Sequence, residues 1–355
     1  MFTRMKLENF KSWQALDIEM APLTLLFGTN SSGKSSILQS ILLIWQTIIK
    51  TRWLAINFGG TASDFTDVGG FREMVFEHNL ENTVRINIEP SFDLRMWQAK
   101  NDVEYSVDEG INTFTINDDG ILSYHYLGPL RLYPKRSYLW SGVAPYTIEP
   151  DGENTIAALI ESTRRDNQLL DNVSKWLIKS GLVGGFKVNP LDKDNRFYET
   201  QVEIGNAISN LLDVGFGISQ VLPVITLLYF APRHSIVLLE QPELHLHPRA
   251  QAHLADLMLH VAQERKLQLI VESHSEHLLR RLQRRIAEED HEFANPDNIK
   301  MYFCDMGDNG STIQSVGVDE YGQIQNWPDK FFGDITGDLE AMTMAALKRS
   351  LNGKN

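Results

Sequence analysis

Polar and apolar positions change rhythm several times along this chain. Met5-Lys6-Leu7-Glu8-Asn9-Phe10 and Ala15–Met20 alternate, and Leu23–Phe27 is a short apolar run between turn residues, so three strands are predicted over residues 4–27. Gly28–Ser36 is rich in Gly, Ser and Asn. After it, Ile37, Leu38, Ile41, Leu42 and Trp45 recur at helical spacing within Ile37–Ile49. Asp64–Gly70 reads as loop, and Thr83–Tyr126 alternates as several antiparallel strands should. Gly128–Pro150, rich in Pro and Tyr, reads as a long ordered loop, and Asn154–Ser180 as helix. From about Tyr198 the order becomes strand, helix, strand Ser235–Glu240, helix Arg249–Arg265, strand Leu267–Glu272, helix Glu276–Ala287, strand Lys300–Cys304. Strands alternating with helices imply a mainly parallel sheet. The expected fold is therefore α/β, its core split into residues 1–50 and 198–355 by a β-rich and helical insertion over 51–197. The tail Asn352–Asn355 is expected to fray.

Composition narrows the classes. A length of 355 residues fits two domains or one α/β domain with a large insertion. With 43% hydrophobic and 22% charged residues, wholesale disorder is excluded. The net charge of -13 excludes a basic nucleic-acid coat and confines any contact with DNA or RNA to a local patch. The single cysteine, Cys304, has no internal partner, which points to a reducing, cytoplasmic setting. Val221–Pro232 is far shorter than the roughly 20 apolar residues of a membrane span, and the opening ten residues do not read as a secretory leader. No membrane partner is expected.

The chemistry begins at Gly28-Thr29-Asn30-Ser31-Ser32-Gly33-Lys34-Ser35, which satisfies G-x-x-x-x-G-K-[ST] between a predicted strand and a predicted helix. A loop with glycine at both ends can wrap a phosphate so that successive N–H groups point inward. The helix opening at Gly33 adds its N-terminal amides and dipole. Lys34 would then reach the β- and γ-phosphates, and Ser35 would offer its hydroxyl to Mg²⁺. About 200 residues later, the apolar strand Ser235–Glu240 ends in a carboxylate suited to the same Mg²⁺. The implied cofactors are ATP and Mg²⁺.

These blocks together resemble the ABC-type ATPases of the RecF/SMC group, nearest to the ATPase half of OLD-type (Gabija- and Septu-like) defence proteins. The opening Leu7-Glu8-Asn9-Phe10-Lys11-Ser12, the phosphate loop, Glu240–Pro248, Glu272-Ser273-His274-Ser275 and the stretch Asn326–Phe332 carry the likeness. The resemblance implies a P-loop ABC-type fold with antiparallel N-terminal strands. It makes His274 the switch histidine that senses the γ-phosphate and extends the cofactor-binding set to Ser36. It sets the signature motif at Asp213–Gln220, so that Gly217, Ser219 and Gln220 would contact nucleotide held by a second copy, with His247 crossing the same interface. A homodimer enclosing ATP follows from that pattern.

Two departures matter. The family's strand ending is Asp-Glu-Pro, whereas this chain has Glu240-Gln241-Pro242. Glu240 can still serve the metal, but Gln241 cannot accept a proton. Either hydrolysis is slow, or Glu243 and His274 orient the water instead. Secondly, about 80 residues follow His274, too few for the Toprim nuclease of OLD-type enzymes. Asp305, Asp308 and Asp319 are expected to be solvated loop acids.

Other polar clusters are read as follows. Seven of ten histidines fall between His234 and His277, including His245, His247, His253 and His260, but without cysteines a zinc site is not expected. Arg280, Arg281, Arg284 and Arg285 form two i, i+4 columns that could grip nucleic-acid phosphates, or could equally be a solvated face or a partner contact. Arg131, Lys135 and Arg136, interleaved with Tyr133 and Tyr138, form a second candidate patch, though an ordered loop packed on the core is the favoured reading. Three functions stand open. The first is an ATP-held dimer controlling a separately encoded effector, a nuclease or toxin, in defence against phage or plasmids. The others are a RecF-like DNA clamp and a scaffold that never hydrolyses its ATP.

Overall fold

The computed structural model describes residues 1–61, 64–90, 92–98, 103–108, 123–288, 293–326, 341–346 and 349. The tail Asn352–Asn355 and residues 327–332 of the family-like stretch lie outside them.

In chain order the strands and helices are β1 (Arg4–Phe10), β2 (Trp13–Glu19), β3 (Leu23–Gly28), α1 (Lys34–Thr51), α2 (Phe71–Met74), β4 (Val84–Glu89), β5 (Phe92–Gln98), β6 (Val103–Asp108), β7 (Tyr124–Leu127) and β8 (Tyr138–Leu139). There follow α3 (Thr155–Arg164), α4 (Gln168–Lys179), β9 (Gly185–Pro190), β10 (Phe197–Ile204), β11 (Ala207–Asn210), α5 (Phe216–Phe230) and β12 (Ile236–Glu240). Last come α6 (Pro248–Glu264), β13 (Gln268–Glu272), α7 (Glu276–Ala287), β14 (Ile299–Gly307) and β15 (Gly310–Ser315).

The core sheet has the order β15-β14-β3-β13-β12-β7, with β15 alone antiparallel to its neighbour. Every residue of β12 and β13 is buried, which is why both read as apolar runs without alternation. A second, antiparallel sheet runs β2-β1-β4-β5-β6. Its alternating strands bury one face only, as in β4, where Val84, Ile86 and Ile88 are buried. One apolar cluster joins that sheet to α1 and one face of the core sheet; the other covers the opposite face with α3 to α7. The apolar run Val221–Pro232 belongs to the second cluster: α5 is buried at nearly every position from Ile218 to Leu228. Among the described residues, no helix is long and apolar enough to cross a membrane.

Residues 51–197, expected as an insertion, are woven into both sheets. They supply β4–β6 to the antiparallel sheet through β1 and β7 to the core sheet beside β12. Tyr124–Tyr126, expected among antiparallel strands, instead pairs in parallel with β12, because alternation reveals a face and not a pairing partner. The predicted helix Asn154–Ser180 is two helices, interrupted at Asn167, whose φ of 58° is left-handed.

Candidate functional site

The site forms where β3, β12 and β13 end together. The β3 strand runs out at Gly28 (φ 144°), the loop turns through Ser31 (φ 61°), and α1 opens behind Gly33 (φ 89°). A Cβ on Gly28 would lie 2.0 Å from the Cys304 carbonyl oxygen of the adjoining β14, and one on Gly33 2.5 Å from Ser311 Oγ. Glycine is thus required at both ends by dihedral angle and by space. Trp13 Nε1 donates to the Gly33 carbonyl at 2.9 Å, and Ser32 Oγ to the Thr29 carbonyl at 2.8 Å, fixing the loop from outside and within.

The loop walls a cavity of about 300 Å³, lined by Ser12, Asn30, Ser31, Ser32, Gly33, Lys34, Ser35, Ser36, Gln241, Glu272 and His274. Lys34 Nζ donates to the carbonyls of Thr29 at 2.5 Å and Gly28 at 3.2 Å. Burial pushes its pKa down, while the charge of Glu272 pulls it back up. Ser35 Oγ donates to Glu272 Oε2 at 2.8 Å. Glu272 closes β13 in register with Glu240 at the end of β12. Glu240 turns elsewhere: its Oε1 accepts from the Tyr126 hydroxyl at 2.9 Å. Burial first, and the charge of Glu272 second, push the Glu240 carboxyl up to about 7. Burial likewise raises Glu272.

Gln241 and His274 line the cavity, but Glu243 does not. Glu243 is buried behind the wall, and its Oε1 accepts from Ser273 Oγ and from the His274 N–H, both at 2.8 Å. It can hold the main chain of His274, not touch a ligand. Burial, and then the Lys34 charge, lower the His274 pKa, favouring the neutral ring. Arg131 is buried rather than part of a surface patch: its Nη2 donates to the carbonyls of Glu240 at 2.8 Å and Gln241 at 3.2 Å. Burial lowers its pKa to about 10, opposed by the charges of Glu243 and Glu240.

The remaining candidates lie away from this cavity. Ser219 Oγ donates to the Phe216 carbonyl at 2.7 Å, and the residue lines a separate cavity of about 450 Å³ beside Tyr138 and Ile156. Gly217 packs on the His245 carbonyl, Gln220 is buried, and His247 is the exposed N-cap of α6, its Nδ1 accepting from the Arg249 N–H at 3.3 Å. The arginine stripe is largely committed. Arg285 donates to both Asp256 oxygens at 2.8 and 3.0 Å, Arg281 lies 3.8 Å from Asp256, and Arg280 and Arg284 pair with Glu276 and Glu288. Arg136 pairs with Asp213, and the Lys135 N–H donates to the Tyr138 hydroxyl. Asp305, Asp308 and Asp319 are not gathered: Asp305 accepts from Thr29 Oγ1 at 3.3 Å, and Asp319 caps the turn at Tyr321 and Gln323. No group of three His, Cys, Asp or Glu among the described residues could hold a metal ion.

Sequence reasoning missed Glu272. It was read only as the first residue of the His274 block, yet it ends a strand in a carboxylate just as Glu240 does, and that parity was the signal.

Three family models match successive parts of the chain. Residues 1–128 match an AAA ATPase domain, residues 146–280 an AAA domain whose description links it to AbiEii toxin and type IV TA systems, and residues 294–342 a protein of unknown function (DUF3696). No curated protein matches. Similar solved structures include an Smc head bound to the C-winged helix domain of ScpA, 13% identical with a TM-score of 0.52, covering 90% of this chain and 98% of that one. Another is an Smc head with an extended coiled coil, bound to the C-terminal domain of ScpA derived from Pyrococcus furiosus. It is 13% identical with a TM-score of 0.50, covering 88% of this chain and 96% of that one. The fold is that of an ABC-type ATPase of the RecF/SMC group. An ABC-type ATPase uses nucleotide and typically Mg²⁺, and the residues lining the cavity suit both: the start of α1 and Lys34 for phosphate, the Ser35 hydroxyl with the Glu272 carboxylate beside it for the ion.

Proposed function

We propose that this ABC-type ATPase binds ATP·Mg²⁺ in the Gly28–Ser36 cradle, closes on a second copy around it, hydrolyses it slowly and thereby controls a separate effector protein. The cradle carries the reading: a glycine-ended loop, Lys34, Ser35 and the strand-end carboxylate Glu272 share one cavity. Loop amides and Lys34 would hold the phosphates, and Ser35 with the neighbouring carboxylates the magnesium. The bound metal nucleotide would supply the scissile anhydride and its charge neutralisation. The chain itself contributes orientation through His274 and Gln241, and exclusion of water when the second copy docks.

Dimerisation draws support from the signature residues. Phe216 at the start of α5 is exposed and lies away from the cavity of its own chain, where a second copy can reach it, whereas Ser219 and Gln220 are buried. The effector reading leans on the toxin–antitoxin description of the model matched by residues 146–280 and on the protein partner carried by similar Smc heads. An OLD-type affinity and a role against phage belong to the same proposal. A DNA clamp loses its main support, since Arg281 and Arg285 are spent on Asp256.

The test is mass in solution with ATP, ADP or no nucleotide. Wild type should double its mass with ATP alone, and Lys34→Ala should not. An unchanged mass with ATP bound would overturn the dimer, and unaltered nucleotide affinity in Lys34→Ala would overturn the site.

A further inference from the structure

We infer that Glu272, rather than Glu240, is the carboxylate that sets the Ser35 hydroxyl for the magnesium ion. The inference rests on the nucleotide reading above. A serine hydroxyl that turns a lone pair toward a cation still has its proton to place, and an acceptor for that proton fixes the orientation. Here the acceptor is Glu272 Oε2, at 2.8 Å. Glu240 is engaged by the Tyr126 hydroxyl at 2.9 Å instead.

Topology explains the exchange. The sheet order β3-β13-β12 makes β13 the immediate neighbour of the strand that feeds the loop, with Glu272 in register with Leu26, two residues before Gly28. Glu240 ends at the same level but one strand farther away. The Gln241 N–H donates to the Glu272 carbonyl at 2.8 Å, so the main chains of both strand ends are tied at the cavity wall. Glu272 is a positioning residue, acting on the ion through Ser35.

The experiment follows binding of a fluorescent ATP analogue to the full chain, first in EDTA and then with magnesium titrated in, for wild type, Glu272→Gln, Glu272→Asp and Glu240→Gln. Glu272→Gln should bind nucleotide in EDTA at least as well as wild type, yet need about 10–100-fold more magnesium for the metal-dependent gain. Glu272→Asp should recover part of that loss, which a merely structural role would not predict, and it serves alone if the glutamine variant fails to fold. Glu240→Gln should move the magnesium midpoint less than either. The inference is overturned if Glu240→Gln removes the magnesium response while the Glu272 variants keep it. Wild type that binds no nucleotide even in EDTA would instead overturn the nucleotide reading, and the inference with it.

Discussion

Glu243 holds His274 by its main chain: the carboxylate Oε1 accepts the His274 N–H at 2.8 Å while also taking the Ser273 hydroxyl at 2.8 Å. The turn after β12 and the turn after β13 are thereby joined by one buried side chain. Arg131 adds a third segment by donating to the Glu240 and Gln241 carbonyls. The cavity wall that carries Gln241 and His274 is braced from behind, so these two residues owe their positions to groups that never face the cavity.

Removing that brace should be costly. Glu243→Ala leaves the Ser273 hydroxyl and the His274 N–H without their acceptor, and removes the carboxyl that does most to raise the Arg131 pKa against burial. Unfolding free energy from urea titration should fall by about 3 kcal/mol. A loss below about 1 kcal/mol would show that the turns are held by something else.

Arg131 and Glu243 should also act as a unit. With Arg131→Met and Glu243→Ala combined, the double variant should lose less than the two single losses added, with a coupling of about 1–3 kcal/mol. Strict additivity would mean that Arg131 works through its carbonyl contacts alone.

How much of this was legible depended on whether the signal was local. The phosphate loop was readable because glycine spacing, Lys34 and Ser35 lie within eight consecutive residues, β12 and β13 because each is an unbroken apolar run, and α6 and α7 because each keeps a helical period. The place of β7 in the core sheet was not, since Tyr124–Leu127 finds its partner more than 100 residues away. The loop around Arg131 was expected to pack on the core, but its partners, the carbonyls of Glu240 and Gln241, could not be named because they lie more than 100 residues away. The four arginines of α7 looked cationic because Asp256, which takes two of them, belongs to another helix.

That ion pair gives a prediction about nucleic acid. Alanine at both Arg281 and Arg285 should leave affinity for duplex DNA unchanged and lower stability by about 1 kcal/mol, measured by filter binding at several salt concentrations and by thermal melting. DNA binding that weakens with the double variant and falls steeply with salt would return the stripe to the candidates.

Acid sensitivity should trace to His125. It is buried on β7 with Nε2 at 2.8 Å from Ser123 Oγ and Nδ1 unpartnered, and burial lowers its pKa to about 4 from 6.5. The unfolded chain binds this proton more readily, so the stabilisation is complete above about pH 6.5 and is lost as pH falls through about 4. The difference is worth about 3 kcal/mol. His125→Gln should flatten the stability–pH curve between those values in urea titrations, whatever its effect at neutral pH. An unchanged slope would place the acid sensitivity elsewhere.

Turnover itself should be limited by Gln241. The residue faces the cavity with a φ of 44°, and its N–H is anchored to the Glu272 carbonyl at 2.8 Å, so a substituted side chain will start from the same place. An amide can orient water but cannot take its proton. Gln241→Glu keeps the length and the dihedral strain and adds a base, and phosphate release should rise by about 100-fold. The gain is held down by two negative neighbours, Glu240 and Glu272, whose charges raise the pKa of a third carboxylate and leave less of it ionised. Glu240→Gln in the Gln241→Glu background should therefore shift the activity–pH profile to lower pH, provided magnesium still binds at Ser35. Wild-type turnover already in the ordinary enzyme range of about 10 per second, and indifferent to Gln241→Ala, would show that water activation lies outside this position.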